Sequence, residues 1–134
     1  MKTTEEHGSI EADYDWMNPL LTDMYQVTMS YAEWKAGRAE DHAIFEAYFR
    51  KNPFKGAYTI FAGTDEVLRF LKEYKFTEQH LAFLKHTMPN LEDGYLEWLS
   101  KLDCSQVTVT GFIDGQICFP SEPLLRLEGP FALL

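Results

Sequence analysis

The 134-residue sequence predicts an α+β fold. Apolar residues at helical spacing fill the middle of the chain, alternating runs flank them, and Pro, Gly and Asp-Gly signals separate the segments. No internal repeat or low-complexity tract breaks this order. The length suits one domain with a sizeable core.

The opening "MKTTEEHGSIEADYDW" is acidic and has neither the basic start nor the apolar centre of a signal peptide. Residues 1–15 are therefore expected to form a disordered acidic tail, with the domain beginning near Trp16. In "NPLLTDMYQVTM", Thr22 is placed to cap a helix, Asp23 favours its dipole, and the pattern runs to Ala36 before Gly37. Met24, Val27, Tyr31 and Trp34 share one side of that helix. Tyr25, Met29, Ala32 and Ala36 widen the apolar arc to roughly 200°, at about 100° per residue. Asp23, Gln26, Ser30 and Glu33 form the wet stripe. A helix resting on one core needs an arc nearer 100°, so this one is expected to touch a second surface.

"HAIFEAYFR", residues 42–50, alternates as a strand does. Pro53 and Gly56 build a turn, and "AYTIFAG", residues 57–63, supplies a second strand, so the two are placed to form a hairpin. Three helices follow. Thr64 caps the first, Thr77 caps the second, which Pro89 ends, and "LEDGYLEWLSKL" makes the third. "QVTVTGFI" then alternates as a strand, Asp114-Gly115 signals a hairpin turn, and "QICF" and "LLRLEG" read as short strands. The last residues, "EGPFALL", end on an apolar run, either as though a further element begins there or as a docked C-terminal strand.

A net charge of −9 argues against nonspecific binding to nucleic acid or an anionic membrane, both of which need basic surface. No apolar run approaches the ~20 residues of a membrane span. Cys104 and Cys118 have no C-x-x-C spacing and suggest no disulfide framework, which points to a reducing, cytosolic compartment. His7, His42, His80 and His86 lack metal-site spacing, and no glycine-rich phosphate loop is present. Composition and pattern show no acid–base pair. Two features remain. Arg50, Lys51 and Lys55 surround the Pro-Gly turn, either as a phosphate-binding cluster or as a charged, soluble tip. Tyr25 flanks the apolar arc, either as packing or as a platform for a flat ring.

The run "PLLTDMYQVTM" resembles the opening signature of nicotinate phosphoribosyltransferases. "FEAYFRKNPFKGAYTIFAG" is similar to that family's second block, and "LDCSQVTVTGFIDGQICFPSEPLLRLEGP" to its third. The blocks are colinear from Pro19 to Leu134.

The resemblance implies the N-terminal α/β domain of a type II phosphoribosyltransferase, spanning residues 16–134, truncated at its C-terminal edge and lacking the irregular α/β barrel that follows. It also implies a cytosolic, homodimeric enzyme of NAD synthesis that joins nicotinate to phosphoribosyl pyrophosphate. Mg²⁺ and coupled ATP hydrolysis are implied for the full-length protein. By motif matching, Tyr25 stacks on nicotinate in the partner subunit's site, and Arg50, with Lys51 behind it, contacts phosphate or pyrophosphate in trans. The family's phosphorylated histidine, ribose-phosphate loop and carboxylate-binding arginine belong to the barrel, so no catalytic residue is assigned within this segment. The chain alone is therefore expected to be inactive. The alternative is a non-catalytic product that binds a full-length subunit and modulates the dimer. Base selectivity lies mainly outside this segment.

Overall fold

The computed structural model describes residues 17–134; the acidic tail expected over residues 1–15 lies outside them. Helix α1 (Met24–Lys35) is followed by β1 (His42–Ala47), β2 (Thr59–Ile60), α2 (Thr64–Glu73), α3 (Glu78–Thr87) and α4 (Asp93–Ser100). Strands β3 (Thr108–Gly111), β4 (Ile117–Cys118) and β5 (Leu125–Pro130) complete the order, with single 3₁₀ turns at Pro53–Lys55 and Phe131–Leu133. The α+β expectation holds.

Two cores hold these elements. In the helical core, Phe76, Leu84, Leu91, Tyr95 and Leu99 are buried, and Val27, Tyr31 and Trp34 of α1 pack against them. Tyr95 sits at its centre, with its ring centroid 5.0 Å from Tyr31, 5.6 Å from Trp34 and 5.7 Å from Trp98. In the sheet core, Phe61, Cys118 and Leu125 are buried beneath Phe49, Val67, Val109, Phe112 and Leu127. The last 3₁₀ turn ties the two halves together. Phe131 N–H donates to Asp41 O and Ala132 N–H to Ala39 O, while the Phe131 ring lies 6.0 Å from Phe45.

The expected hairpin between residues 42–50 and 57–63 does not form. β1 pairs antiparallel with β5, which also pairs with β3, giving the order β1-β5-β3. β2 instead pairs with β4 in a separate ribbon. The chain leaves β1 by donating no edge to its sequence neighbour: Leu124 N–H reaches Ala47 O and Ser121 N–H reaches Phe49 O, so the C-terminal segment takes that edge. The Asp114-Gly115 turn is present, with Gln116 N–H donating to Ile113 O. It joins strands of different sheets and so does not close a hairpin. Gly111 is required at the exit of β3, because a Cβ there would lie 2.3 Å from Leu124 O and 2.8 Å from Leu125 Cδ2.

Capping also departs from expectation in two places. Asp23, not Thr22, is the N-cap of α1. Thr22 instead donates its hydroxyl to Gln26 Oε1, which also accepts from Asp23 N–H at 3.0 Å. Thr64 begins α2 inside the helix, with Gly63 at the cap in a left-handed conformation (φ 115°). The acceptor for that helix end comes from fifty residues away: Asp114 accepts from Gly63 N–H and Thr64 N–H, each at 3.1 Å, and from the Thr64 hydroxyl. Thr77 caps α3 as expected, accepting from His80 N–H.

The Thr64 hydroxyl, followed by the Gly63 and Thr64 N–H groups, holds the Asp114 carboxyl below its ordinary range. A depressed carboxyl contributes stability above its unfolded value of about 3.9, which is lost as pH falls through the lower folded value. Asp114→Asn is therefore expected to melt below the wild type near neutrality. The gap in Tm should close as pH drops under the aspartate range, measured by circular dichroism across pH; a gap independent of pH would refute the capping role.

Candidate functional site

The first turn of α1 decides where Tyr25 points. Gln26 bridges Thr22 and Asp23, and the Thr28 hydroxyl donates to Tyr25 O at 2.9 Å, so the helix start is ordered. Val27, Tyr31 and Trp34 face the core at i, i+4 and i+7 spacing. Tyr25 lies off that seam and is 60% exposed, beside Met24 at 60% and Met29 at 49%. Tyr25 is therefore not core filler. The wide apolar arc read from the sequence leaves an uncovered stripe of Met24, Tyr25 and Met29.

The wet stripe is narrower than the pattern suggested. Ser30 turns inward, where the Tyr95 hydroxyl lies 3.1 Å from its Oγ and 3.4 Å from Val27 O. Glu33 is half-buried, with Arg38 Nε 3.7 Å from its Oε2. At the far end of α1, Tyr31 donates to Glu92 Oε1 at 3.0 Å and Lys35 pairs with the same carboxylate. The Lys35 hydrogen bond, then that of Tyr31, holds Glu92 below the usual glutamate range. This network clamps α1 to the start of α4 and leaves the outer stripe free.

Arg50 follows Phe49, whose side chain packs into the sheet core and whose carbonyl accepts from Ser121 N–H at 2.8 Å. Residues Glu46, Ala47, Tyr48, Phe49 and Arg50 line an open groove of about 510 Å³. Arg50, Lys51 and Lys55 are all exposed. The loop between them is held in shape. Asn52 Oδ1 accepts from the Thr59 hydroxyl at 2.9 Å, and Gly56 N–H donates to Pro53 O. Phe54 (φ 53°) and Lys55 (φ 58°) occupy the left-handed region, which costs non-glycine residues on the order of 1–2 kcal/mol each. Phe54 is fully exposed at the tip.

Tyr25 does not line the groove beside Arg50. The ring and the cations are thus presented outward from different elements, the ring from α1 and the cations from the loop after β1. Among the described residues no three His, Cys, Asp or Glu side chains converge as a metal site requires. Away from Tyr25 and Arg50, burial, then the charge of Asp103, pushes the Cys104 thiol up to about 11, and burial first raises Tyr74. Among the described residues no helix is long and apolar enough to cross a membrane.

Sequence reasoning missed two features of this surface. The tip aromatic Phe54 carried no periodic signal, and its exposure follows from a left-handed turn. The apolar outer side of the β2–β4 ribbon was visible as period-two alternation, but which side would be covered depends on pairing across fifty residues and more.

The family model for the nicotinate phosphoribosyltransferase (NAPRTase) N-terminal domain matches residues 20–134. The nicotinate phosphoribosyltransferase of Dictyostelium discoideum is 48% identical over 96% of this chain, and nicotinate phosphoribosyltransferase 1 of Arabidopsis thaliana is 45% identical over 88%. The crystal structure of human nicotinic acid phosphoribosyltransferase superposes with a TM-score of 0.75 at 41% identity, over 83% of this chain. The chain spans 22% and 21% of the lengths of the Dictyostelium and Arabidopsis proteins and 22% of the human chain.

Proposed function

Since the chain belongs to the nicotinate phosphoribosyltransferase family and corresponds to its N-terminal domain, we propose that it is the substrate-presenting part of an enzyme of NAD synthesis. That enzyme joins nicotinate to phosphoribosyl pyrophosphate, giving nicotinate mononucleotide and pyrophosphate, as a cytosolic homodimer with active sites between subunits. Tyr25 stacks on the pyridine ring in the partner subunit's site, and Arg50, with Lys51 as a second contact, bears on the phosphates. The observation that carries this is the outward-facing Tyr25, ordered at the start of α1 beside uncovered Met24 and Met29 within a family-matched domain.

The chemistry suits such residues. Phosphoribosyl transfer develops positive charge on the sugar and negative charge on the departing pyrophosphate, so positioning and electrostatics dominate. A ring face orients the base, and a guanidinium fork binds phosphate oxygens bidentately. Neither task moves a proton. ATP hydrolysis and Mg²⁺ belong to the full-length enzyme and are assigned to no residue of this segment.

A chimera tests this, with residues 20–134 replacing the matching segment of the Dictyostelium relative. The chimera is expected to form nicotinate mononucleotide, and the 134-residue chain alone to form none. A folded, dimeric but inactive chimera would overturn the assignment; product from the isolated chain above its Tyr25→Ala control would overturn the predicted inactivity. Arg50→Ala in the chimera is expected to raise KM for phosphoribosyl pyrophosphate about tenfold, the lower range for a hydrogen bond to a charged group. An unchanged KM would remove Arg50 from the phosphate site.

A further inference from the structure

Arg50 and Lys51 lie on a short span that is fixed at both ends. At the first end Phe49 packs into the sheet core, and its carbonyl accepts from Ser121 N–H at 2.8 Å. At the other end the side chain of Asn52 crosses the loop, and its Oδ1 accepts from the Thr59 hydroxyl at 2.9 Å, seven residues on. That choice of partner is informative. An asparagine ahead of a turn ordinarily spends its side chain on the nearby backbone N–H groups. Asn52 precedes the 3₁₀ turn Pro53–Lys55 and makes no such cap. Thr59 is itself held: it pairs with Cys118 across the β2–β4 ribbon, and its carbonyl accepts from the Cys118 thiol at 3.3 Å. Cys118 is buried in the sheet core. The Asn52–Thr59 bond therefore ties the loop to the core and does not merely close the turn on itself.

We propose that Asn52 and Thr59 are positioning residues for phosphate binding, their hydrogen bond fixing the direction in which Arg50 and Lys51 are offered to phosphoribosyl pyrophosphate. The proposal rests on the reading of Arg50 as a phosphate contact. Neither Asn52 nor Thr59 touches the substrate; both act through the cations between the two anchors. Those cations are uncommitted. Among the described residues Lys35, Arg38, Lys85, Lys101 and Arg126 each meet a carboxylate, whereas Arg50 and Lys51 form no ion pair. Long basic side chains lose rotamer freedom when they bind, and a backbone already held in place lowers the cost of ordering them. A guanidinium fork displaced by an ångström loses its bidentate fit. The left-handed Phe54 and Lys55 belong to the same device. Such a backbone persists only where its surroundings over-determine it, and the bond from Asn52 to Thr59 brackets both residues.

Thr59→Val tests this in the chimera, because valine keeps the branched shape and strand preference of threonine and removes the hydroxyl. KM for phosphoribosyl pyrophosphate is expected to rise about fivefold, the worth of one hydrogen bond. KM for nicotinate should stay unchanged, and Thr59→Ser, which keeps the donor, should stay within about twofold of the wild type. Asn52→Ala should match Thr59→Val. Adding Thr59→Val to Arg50→Ala should cost no more than about twofold beyond Arg50→Ala alone, since a residue that acts through another adds little once that one is gone. Independent losses that multiply would overturn the proposal, and so would both KM values rising together with a fallen Tm, the mark of a merely structural bond. A readout without turnover uses backbone order parameters at Arg50 and Lys51 in the 134-residue chain. They should fall in Thr59→Val and recover in Thr59→Ser; unchanged values would overturn the proposal. The two readings fail separately. An unchanged KM in Arg50→Ala refutes the phosphate contact and the proposal with it, whereas a raised KM in Arg50→Ala beside a silent Thr59→Val refutes only the positioning.

Discussion

Tyr95→Ala is expected to destabilise the domain by about 3–5 kcal/mol, the range for removing a large aromatic from a packed core. Tyr95 is 1% exposed, and its ring meets Tyr31, Trp34 and Trp98. Its hydroxyl sits beside Ser30 Oγ and Val27 O. Truncation therefore opens a cavity between α1 and α4 and leaves Ser30 half-buried without its partner. Domains of this size are stable by about 5–15 kcal/mol in total, so the loss removes a large share. Urea denaturation should show the midpoint falling sharply, with the emission of Trp34 and Trp98 shifting to the red before unfolding. Tyr95→Phe keeps the ring contacts and should cost about 1 kcal/mol, the net worth of a hydrogen bond. Similar losses for the two variants would mean the hydroxyl network, not the ring, holds α1 in place.

The same residue sets an alkaline limit. Burial is the main cause raising Tyr95, and Ser30 opposes it in part; burial raises Tyr74 as well. A tyrosine with a raised folded pKa keeps its contribution below the unfolded value of about 10. As pH rises past that value the unfolded chain ionises first, and stability falls. The wild type should lose stability steeply above pH 10, and Tyr95→Phe less steeply.

How far the sequence foretold this architecture depends on the distance each feature had to reach. The Val27, Tyr31 and Trp34 seam of α1, the Thr77 cap and the Pro53–Gly56 turn are local, and helical period or turn chemistry sufficed to place them; Met24, read on the same side as that seam, is instead 60% exposed at the helix start. The inward turn of Ser30 was not legible, because its partner Tyr95 lies 65 residues on. The hairpin expectation failed for the same reason. Adjacent strands pair by default, yet β1 finds β5 across most of the chain, and neither alternation pattern specifies a partner. Asp114 shows one residue type serving two ends: its turn was readable, whereas its carboxylate at the start of α2 was fixed by the β2–β4 pairing. For the site, motif matching selected Tyr25, Arg50 and Lys51, and the fold adds that all three are exposed. The left-handed backbone of Phe54 and Lys55 is a property of the closed loop and left no mark in composition.

Tyr25→Ala in the chimera is expected to raise KM for nicotinate about thirtyfold, corresponding to roughly 2 kcal/mol for loss of an aromatic stacking partner. Tyr25→Phe should stay within about twofold, because stacking uses the ring face and the quadrupole of phenylalanine is close to that of tyrosine. Protein stability offers the control. Tyr25 lies off the core seam and is 60% exposed, so neither substitution should move the Tm of the isolated chain appreciably. A structural role would show the reverse, with Tm falling and KM following it. Dimer assembly is the competing explanation for a rise in KM, since Met24 and Met29 flank the ring on the same uncovered stripe. Met29→Ala separates the two: it trims the stripe without touching the ring, so a contact that serves only assembly should respond to Met29→Ala and Tyr25→Ala alike. If Tyr25 stacks on the base, nicotinate KM responds to Tyr25→Ala at protein concentrations where the dimer is intact, and Met29→Ala leaves it unchanged. Equal losses from Tyr25→Phe and Tyr25→Ala would move the role from the ring to the hydroxyl and overturn stacking.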